Sequence, residues 1–218
     1  MDSSYFPIIV KGIGETLYMV FASTIIGYII GLPLGVVLTL TDAKGLKPNK
    51  IVYKILDVIV NIGRSIPFLI LLILLMPFTR AIVGKSYGST ATIVPLTVSA
   101  IPFIARMVEQ SLKEVDPGVI EAAQSMGASP AQIVIHVLMV EAKASLVLGT
   151  TIVFAAILGY SAMAGVIGGG GLGDIASRYG YYRREEVVMW VTVILLVALV
   201  QIFQSIGSLA AKKIDKRK

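Results

Sequence analysis

The chain has no cysteine, one histidine, one tryptophan, and charge on only 15% of its 218 residues. The missing thiols exclude a disulfide framework and a thiolate metal site. A lone His136 without neighbouring ligands at metal-binding spacing reads as a solvated or capping residue. Soluble domains carry about 25% charged residues. Here 56% of the residues are hydrophobic and the mean hydropathy is +0.86, more apolar surface than a soluble fold of this size could hide. The class is an all-α polytopic membrane protein in a lipid bilayer, read as a single domain over residues 1–218. The net charge of +6 gathers at the ends of apolar segments, not in a patch interleaved with aromatics, so no nucleic-acid partner is expected. Residues 1–7 lack a basic leader, so no cleavable signal peptide is expected and the first apolar segment is read as a retained span.

A hydrocarbon core of about 30 Å needs about 20 helical residues. Five segments reach that length: 16–40, 51–79, 86–105, 144–173 and 187–211. The second is interrupted by Lys54, Asp57 and Arg64, and the Gly-rich end of the fourth is expected not to be helical. An odd number of spans puts the termini on opposite sides. Lys44, Lys47, Lys50, Lys54, Arg106, Lys113, Lys143, Lys212, Lys213, Lys216, Arg217 and Lys218 fall on one side, against Lys11, Arg80, Lys85, Arg178, Arg183 and Arg184 on the other. That bias predicts a cytoplasmic C-terminus and an outer N-terminus.

Gly27, Gly31 and Gly35 lie on one face of the first span, as close packing of two helices in lipid requires. Pro33, Pro67, Pro77, Pro95 and Pro102 fall within spans, which allows kinks along a gated pathway or plain packing. Asp57, Asn61 and Arg64 share a helical face. That stripe either lines a pathway or meets a second chain, or else 51–63 lies along the interface and Arg64 snorkels.

Between the third and fourth spans lies a polar island, 108–132. Asp116 is a good N-cap, Pro117 suits the first helical position, and a helix is expected over 118–126. Gly127 stands where a left-handed C-terminal residue is wanted, so a bulky residue there is expected to clash and to resist positive φ. Ser129, Pro130 and Gln132 then form a capping box that starts a new helix. Ala122, Ala123 and Gly127 keep the short helix slim, and Glu121 gives it an anionic handle, as insertion into a partner's groove would need.

Two phosphate-loop lookalikes fail. Gly168 to Gly173 matches Gly-x-Gly-x-x-Gly but follows an apolar span, so it reads as a flexible outer gate, a docking loop or a simple connection. Gly84-Lys85-Ser86 lacks the required earlier glycine, which is Thr79. Nucleotide chemistry must come from another chain. The run 181–186 fits either a protein contact or a solvated loop. No span holds paired acids, a Ser/His pair or a metal cluster, which argues against an intramembrane enzyme. A passive pore or scaffold would explain the spans but not a capped, slim helix at the cytoplasmic face.

Ile120-Glu121-Ala122-Ala123 followed by Gly127 resembles the EAA coupling segment of ABC-importer permeases. The resemblance covers most of the chain and is nearest the methionine-uptake permeases. It extends through Asn61-Ile62-Gly63-Arg64-Ser65-Ile66-Pro67-Phe68, Ile93-Val94-Pro95-Leu96-Thr97 and Pro102-Phe103-Ile104-Ala105-Arg106-Met107-Val108-Glu109. Gly159-Tyr160-Ser161-Ala162-Met163 and Gly170-Gly171-Leu172-Gly173 match as well. Where that family has Leu-Pro this chain has Met139-Val140, which predicts a straighter approach to span 4.

The resemblance implies a type-1 ABC-transporter transmembrane domain in a bacterial plasma membrane, with its coupling segment at about 114–132. It implies a second copy of the permease, two ATPase subunits that bind ATP and Mg, and an extracytoplasmic substrate-binding protein. No cofactor is expected in this chain, and no catalytic role. Glu121, Ala122, Ala123 and Gly127 would couple to the ATPase; Met163, Ser161, Arg64 and Asn61 would line the pathway or its gate. The cargo implied is methionine, or else another small amino acid or related sulfur compound.

Overall fold

The computed structural model describes residues 5–215. Residues 1–4, part of the leader reading, and the charges of Lys216, Arg217 and Lys218 lie outside the described residues. Helix dominates: α1 (Tyr5–Thr41), α2 (Lys50–Ser65), α3 (Phe68–Leu74), α4 (Met76–Val83), α5 (Ser89–Lys113), α6 (Pro117–Ser125), α7 (Pro130–Gln132), α8 (Met139–Glu141), α9 (Lys143–Val166), α10 (Gly171–Ile175) and α11 (Glu186–Ile214). π-helical turns Ile133–Leu138 and Ala176–Tyr181 link α7 to α8 and extend α10.

The longest pairing is α1 against α5, and the glycine face makes it. A Cβ at Gly31 would stand 2.9 Å from the Ile101 carbonyl oxygen, and one at Gly35 would stand 2.6 Å from that of Ala105. Only glycine lets the backbones this close, so the small-residue face is a packing face as expected. Met19, Leu96, Ile104, Ile157 and Leu158 fill the core among α1, α5 and α9. A smaller cluster, Ile9, Leu172, Ile175 and Val188, closes the opposite end from α6.

Four of the five expected spans are single long apolar segments among the described residues. The second is not. Residues 51–79 divide into three helices, with a bend of 100° between α2 and α3. Pro67 forces this: it removes a backbone donor and pushes Ile66 to extended geometry (ψ 121°). Pro77 falls in the first turn of α4, whereas Pro33, Pro95 and Pro102 are accommodated inside α1 and α5.

α2 packs against a spanning helix. Tyr53 meets Glu109, Asp57 meets Arg106, and Gly63 faces Pro102, so α2 runs antiparallel to α5 towards its middle. Its other face exposes Ile51, Ile55, Val58, Ile59 and Ile62, suited to lipid or a second chain.

The approach to α9 is not straighter for want of proline. Its chain winds through the π-helical turn and breaks at Ala142 (ψ 0°) before α9 begins. After α9 the chain leaves helical geometry over 167–170 as expected, with Gly168, Gly170 and Gly171 at positive φ, but helix resumes at Gly171 as α10, earlier than the sequence suggested. It is not a free flap. The Gly171 amide donates to Glu15 Oε2 (2.8 Å) and the Leu172 amide to Thr16 Oγ1 (2.9 Å). The Thr92 hydroxyl donates to the Gly169 carbonyl (3.2 Å), and the Gly88 amide to that of Gly168 (2.9 Å). A segment whose amides and carbonyls are tied to two neighbouring helices is a structural corner.

Candidate coupling surface and charged neck

Local chemistry builds α6. The Asp116 carboxylate accepts from the Gly118 amide (2.7 Å), Pro117 occupies the first turn, and Gly127 ends the helix at φ +81°. The Gly127 amide donates to the Gln124 carbonyl and the Ala128 amide to that of Ala123, the paired bonds of a Schellman terminus. Ser129 and Gln132 form the reciprocal capping box that opens α7. The result is a nine-residue rod, its start fixed by the Asp116 side chain and its end by backbone bonds at Gly127 and Ala128.

Glu121, Ala122 and Gly127 are exposed, but Ala123 is 5% exposed and belongs to the core. Ala123 therefore seats α6 on its own subunit and does not slim the outward face. A Cβ at Gly127 would meet nothing within 4 Å, so the expected clash is absent and the requirement for glycine is purely one of backbone geometry. Beneath α6 opens a cleft of about 600 Å³ whose rim includes Asp42, Lys44, Lys113, Pro117, Ile120 and Glu121.

Under that cleft lies a charged neck that sequence reasoning did not assemble. Glu109 is 1% exposed, and its carboxylate accepts from Arg106 (2.6 Å), Lys113 (2.8 Å) and the Tyr53 hydroxyl (3.1 Å). Lys113 also bonds Asp42 (2.7 Å), and Arg106 reaches Asp57 (2.5 Å) and Asn61 (2.9 Å). The Lys113 ammonium, helped by the Lys44 amide, holds the Asp42 carboxyl below its ordinary pKa. The neck ties α1, α2 and α5 together immediately before α6.

The remaining sequence candidates separate. Asn61 and Asp57 both accept from Arg106 of the same chain, and Asn61 remains exposed. Arg64 lies outside that network, exposed beside the α2–α3 break. Ser161 is buried, and its hydroxyl donates to the Leu158 carbonyl (2.7 Å). Met163, one turn before the glycine corner, is 46% exposed. His136 is exposed on the π-helical turn. Tyr181 and Tyr182 are exposed, while Glu185 accepts from the Tyr5 hydroxyl. The spacing of Arg106, Glu109 and Lys113 on one helical face was the available signal for the neck. Their partners outside α5 stand 45 to 71 residues away in the chain.

These features define a polytopic membrane protein that presents a small, capped helix beside a charged neck. Residues 7–217 match the family of binding-protein-dependent transport system inner membrane components, and the chain belongs to that family. It is a membrane transport component rather than an enzyme. It is 50% identical to the probable D-methionine transport system permease protein of Vibrio cholerae over 203 residues, 93% of this chain and 90% of that one. The D-methionine transport system permease protein of Escherichia coli K12 is 52% identical over 158 residues, 72% of this chain and 73% of that one. A chain from inward-facing crystals of the MetNI methionine ABC transporter superposes with a TM-score of 0.97 at 47% identity, covering 99% of this chain and 100% of that one.

Proposed function

We propose that the chain is the permease subunit of an ATP-driven methionine importer of the bacterial plasma membrane. Two copies form the pathway. Each offers α6 to one of two ATPase subunits, which bind ATP and Mg, and an extracytoplasmic binding protein delivers the amino acid. Closure of the ATPases moves the α6 rods, and the neck carries that motion into α1, α2 and α5 so that the pathway alternates its exposure. The observation that carries this reading is α6 itself: nine residues, capped at both ends, with Glu121, Ala122 and Gly127 turned to solvent. The cargo is taken from the methionine transporters to which the chain is similar. Co-purification of an ATP-binding subunit with the intact chain tests the reading. Its absence under conditions that preserve the membrane fold would count against it.

The charge bias supports an orientation with α6 in the cytoplasm. The 42–49 loop, the neck and α6 share one end of the bundle, and Lys11, Lys85 and the glycine corner the other. With α6 cytoplasmic, a reporter active only in the cytoplasm should function when fused after Lys218 and fail when fused before Met1. The reverse result would displace α6 from the ATPase side.

Met163 sits at the end of α9 away from α6, half exposed on the isolated chain. In a pair of subunits the two methionines would narrow the outer mouth as a deformable apolar seal. A cysteine at this position is free of competing thiols. Met163→Cys should cross-link between the two copies without nucleotide and cross-link less when ATP is trapped. Labelling only by lipid-phase reagents, with no cross-link in either state, would place Met163 against lipid instead.

A further inference from the structure

We propose that Arg64 anchors the carboxylate of the transported amino acid in a binding site midway through the membrane. This rests on the reading of the chain as an amino-acid permease. Arg64 ends α2 where the second span breaks, and its neighbour Gly63 packs on Pro102, midway along α5. The core is about 30 Å thick, so no arginine side chain at that level reaches water at either face. A cation there requires a bundle interior, a water-filled cavity or a counter-charge. Asp57, the acid on the same helix, is taken by Arg106. Among the described residues Arg64 has neither hydrogen bond nor ion pair.

What Arg64 does border is a cavity of about 140 Å³. Its wall includes Ser99, Phe103, Phe68 and Tyr160. The Phe68 and Tyr160 rings stack at 4.7 Å with planes 7° apart, which gives the cavity a rigid aromatic side. The Ser99 hydroxyl donates to the Leu96 carbonyl (2.8 Å), leaving its oxygen free to accept. These groups match the head of an α-amino acid. A guanidinium binds a carboxylate through two parallel N–H donors. The ammonium finds the Ser99 oxygen and the aromatic faces. The volume suits the zwitterionic head and leaves the side chain outside, beside aromatic rings that a thioether contacts well. The site therefore reads the backbone carboxylate more than the side chain.

The test uses the complete complex of permease, ATPase and binding protein in lipid nanodiscs, probed with the diazirine analogue of methionine that keeps its carboxylate. Photolabel should map to peptides of this chain containing Phe68, Phe103 or Tyr160. Excess L-methionine should suppress it, and methionine amide, which lacks the carboxylate, should not. Arg64→Gln should lower that labelling by about tenfold or more, and Arg64→Lys should restore part of it, since a lysine offers charge without the planar fork. Suppression by the amide equal to that by methionine would overturn the proposal without reference to any variant's folding. So would wild-type labelling in Arg64→Gln, or label confined to other helices. ATP-driven uptake by the wild-type complex is measured in parallel. Uptake with a negative labelling result rejects the Arg64 site alone, whereas absence of uptake rejects the permease reading.

Discussion

Replacing Glu109 by alanine should destabilise the permease by about 3–5 kcal/mol, the range for removing one partner of a buried ion pair. The carboxylate is almost completely enclosed and satisfies three donors from three different side chains. Its removal leaves the half-buried Arg106 with only Asp57 and Asn61, and Lys113 with only Asp42. It also opens the joint between α2 and α5. Glu109→Gln should fall between wild type and alanine, because an amide oxygen still accepts from Tyr53 but carries no charge for the two cations. Unfolding rates in detergent, followed by tryptophan fluorescence at Trp190, would check this. A Glu109→Ala protein as stable as wild type would mean that the neck is no more than a surface ion-pair cluster, worth roughly 0–1 kcal/mol.

Gly127→Leu should abolish uptake while leaving membrane insertion and the bulk of the fold intact. The reason is specific. Gly127 is exposed and no neighbouring atom would obstruct a side chain, but its φ is +81°. An L-residue with a branched side chain resists that geometry by roughly 1–2 kcal/mol. A penalty of about 1.4 kcal/mol already means a tenfold shift in an equilibrium, here between a capped and an uncapped α6. Leucine also adds bulk to the face proposed to enter the ATPase. Asparagine tolerates the left-handed region, so Gly127→Asn should keep much of the transport. Substrate uptake into proteoliposomes, scaled to the amount of assembled complex, distinguishes these outcomes. Normal uptake by the leucine variant would remove α6 from the coupling role.

The legible parts of this fold were those decided locally. Long apolar runs read as spans, and the Asp116, Gly127 and Ser129-to-Gln132 signals set both ends of α6 and the start of α7 as they stand. The glycine spacing in α1 announced a close helix pair because small-residue faces let helix backbones approach in lipid. What stayed hidden depended on distant partners. Nothing near Gly168–Gly171 shows that Glu15, Thr16 and Thr92 will pin that loop. Asp57 and Asn61 gave a stripe, but its partner, Arg106, comes from another helix. Pro67 was visible, yet whether a proline kinks a span or divides it depends on neighbouring packing. The π-helical turn at Ile133–Leu138 has no clear local sign, and the missing proline pointed the other way. In α6, the Ile120 and Ala123 spacing could have told the inward face from the outward one, since residues three apart share a side of a helix.

The most direct test of the central claim is L-methionine accumulation in proteoliposomes that contain this permease, its ATPase and its binding protein, with ATP supplied on the ATPase side. The account predicts accumulation against a gradient that requires ATP, stops when the ATPase is omitted, and is lost in Gly127→Leu. Equal methionine flux without ATP, or no flux with every component present and assembled, would contradict it.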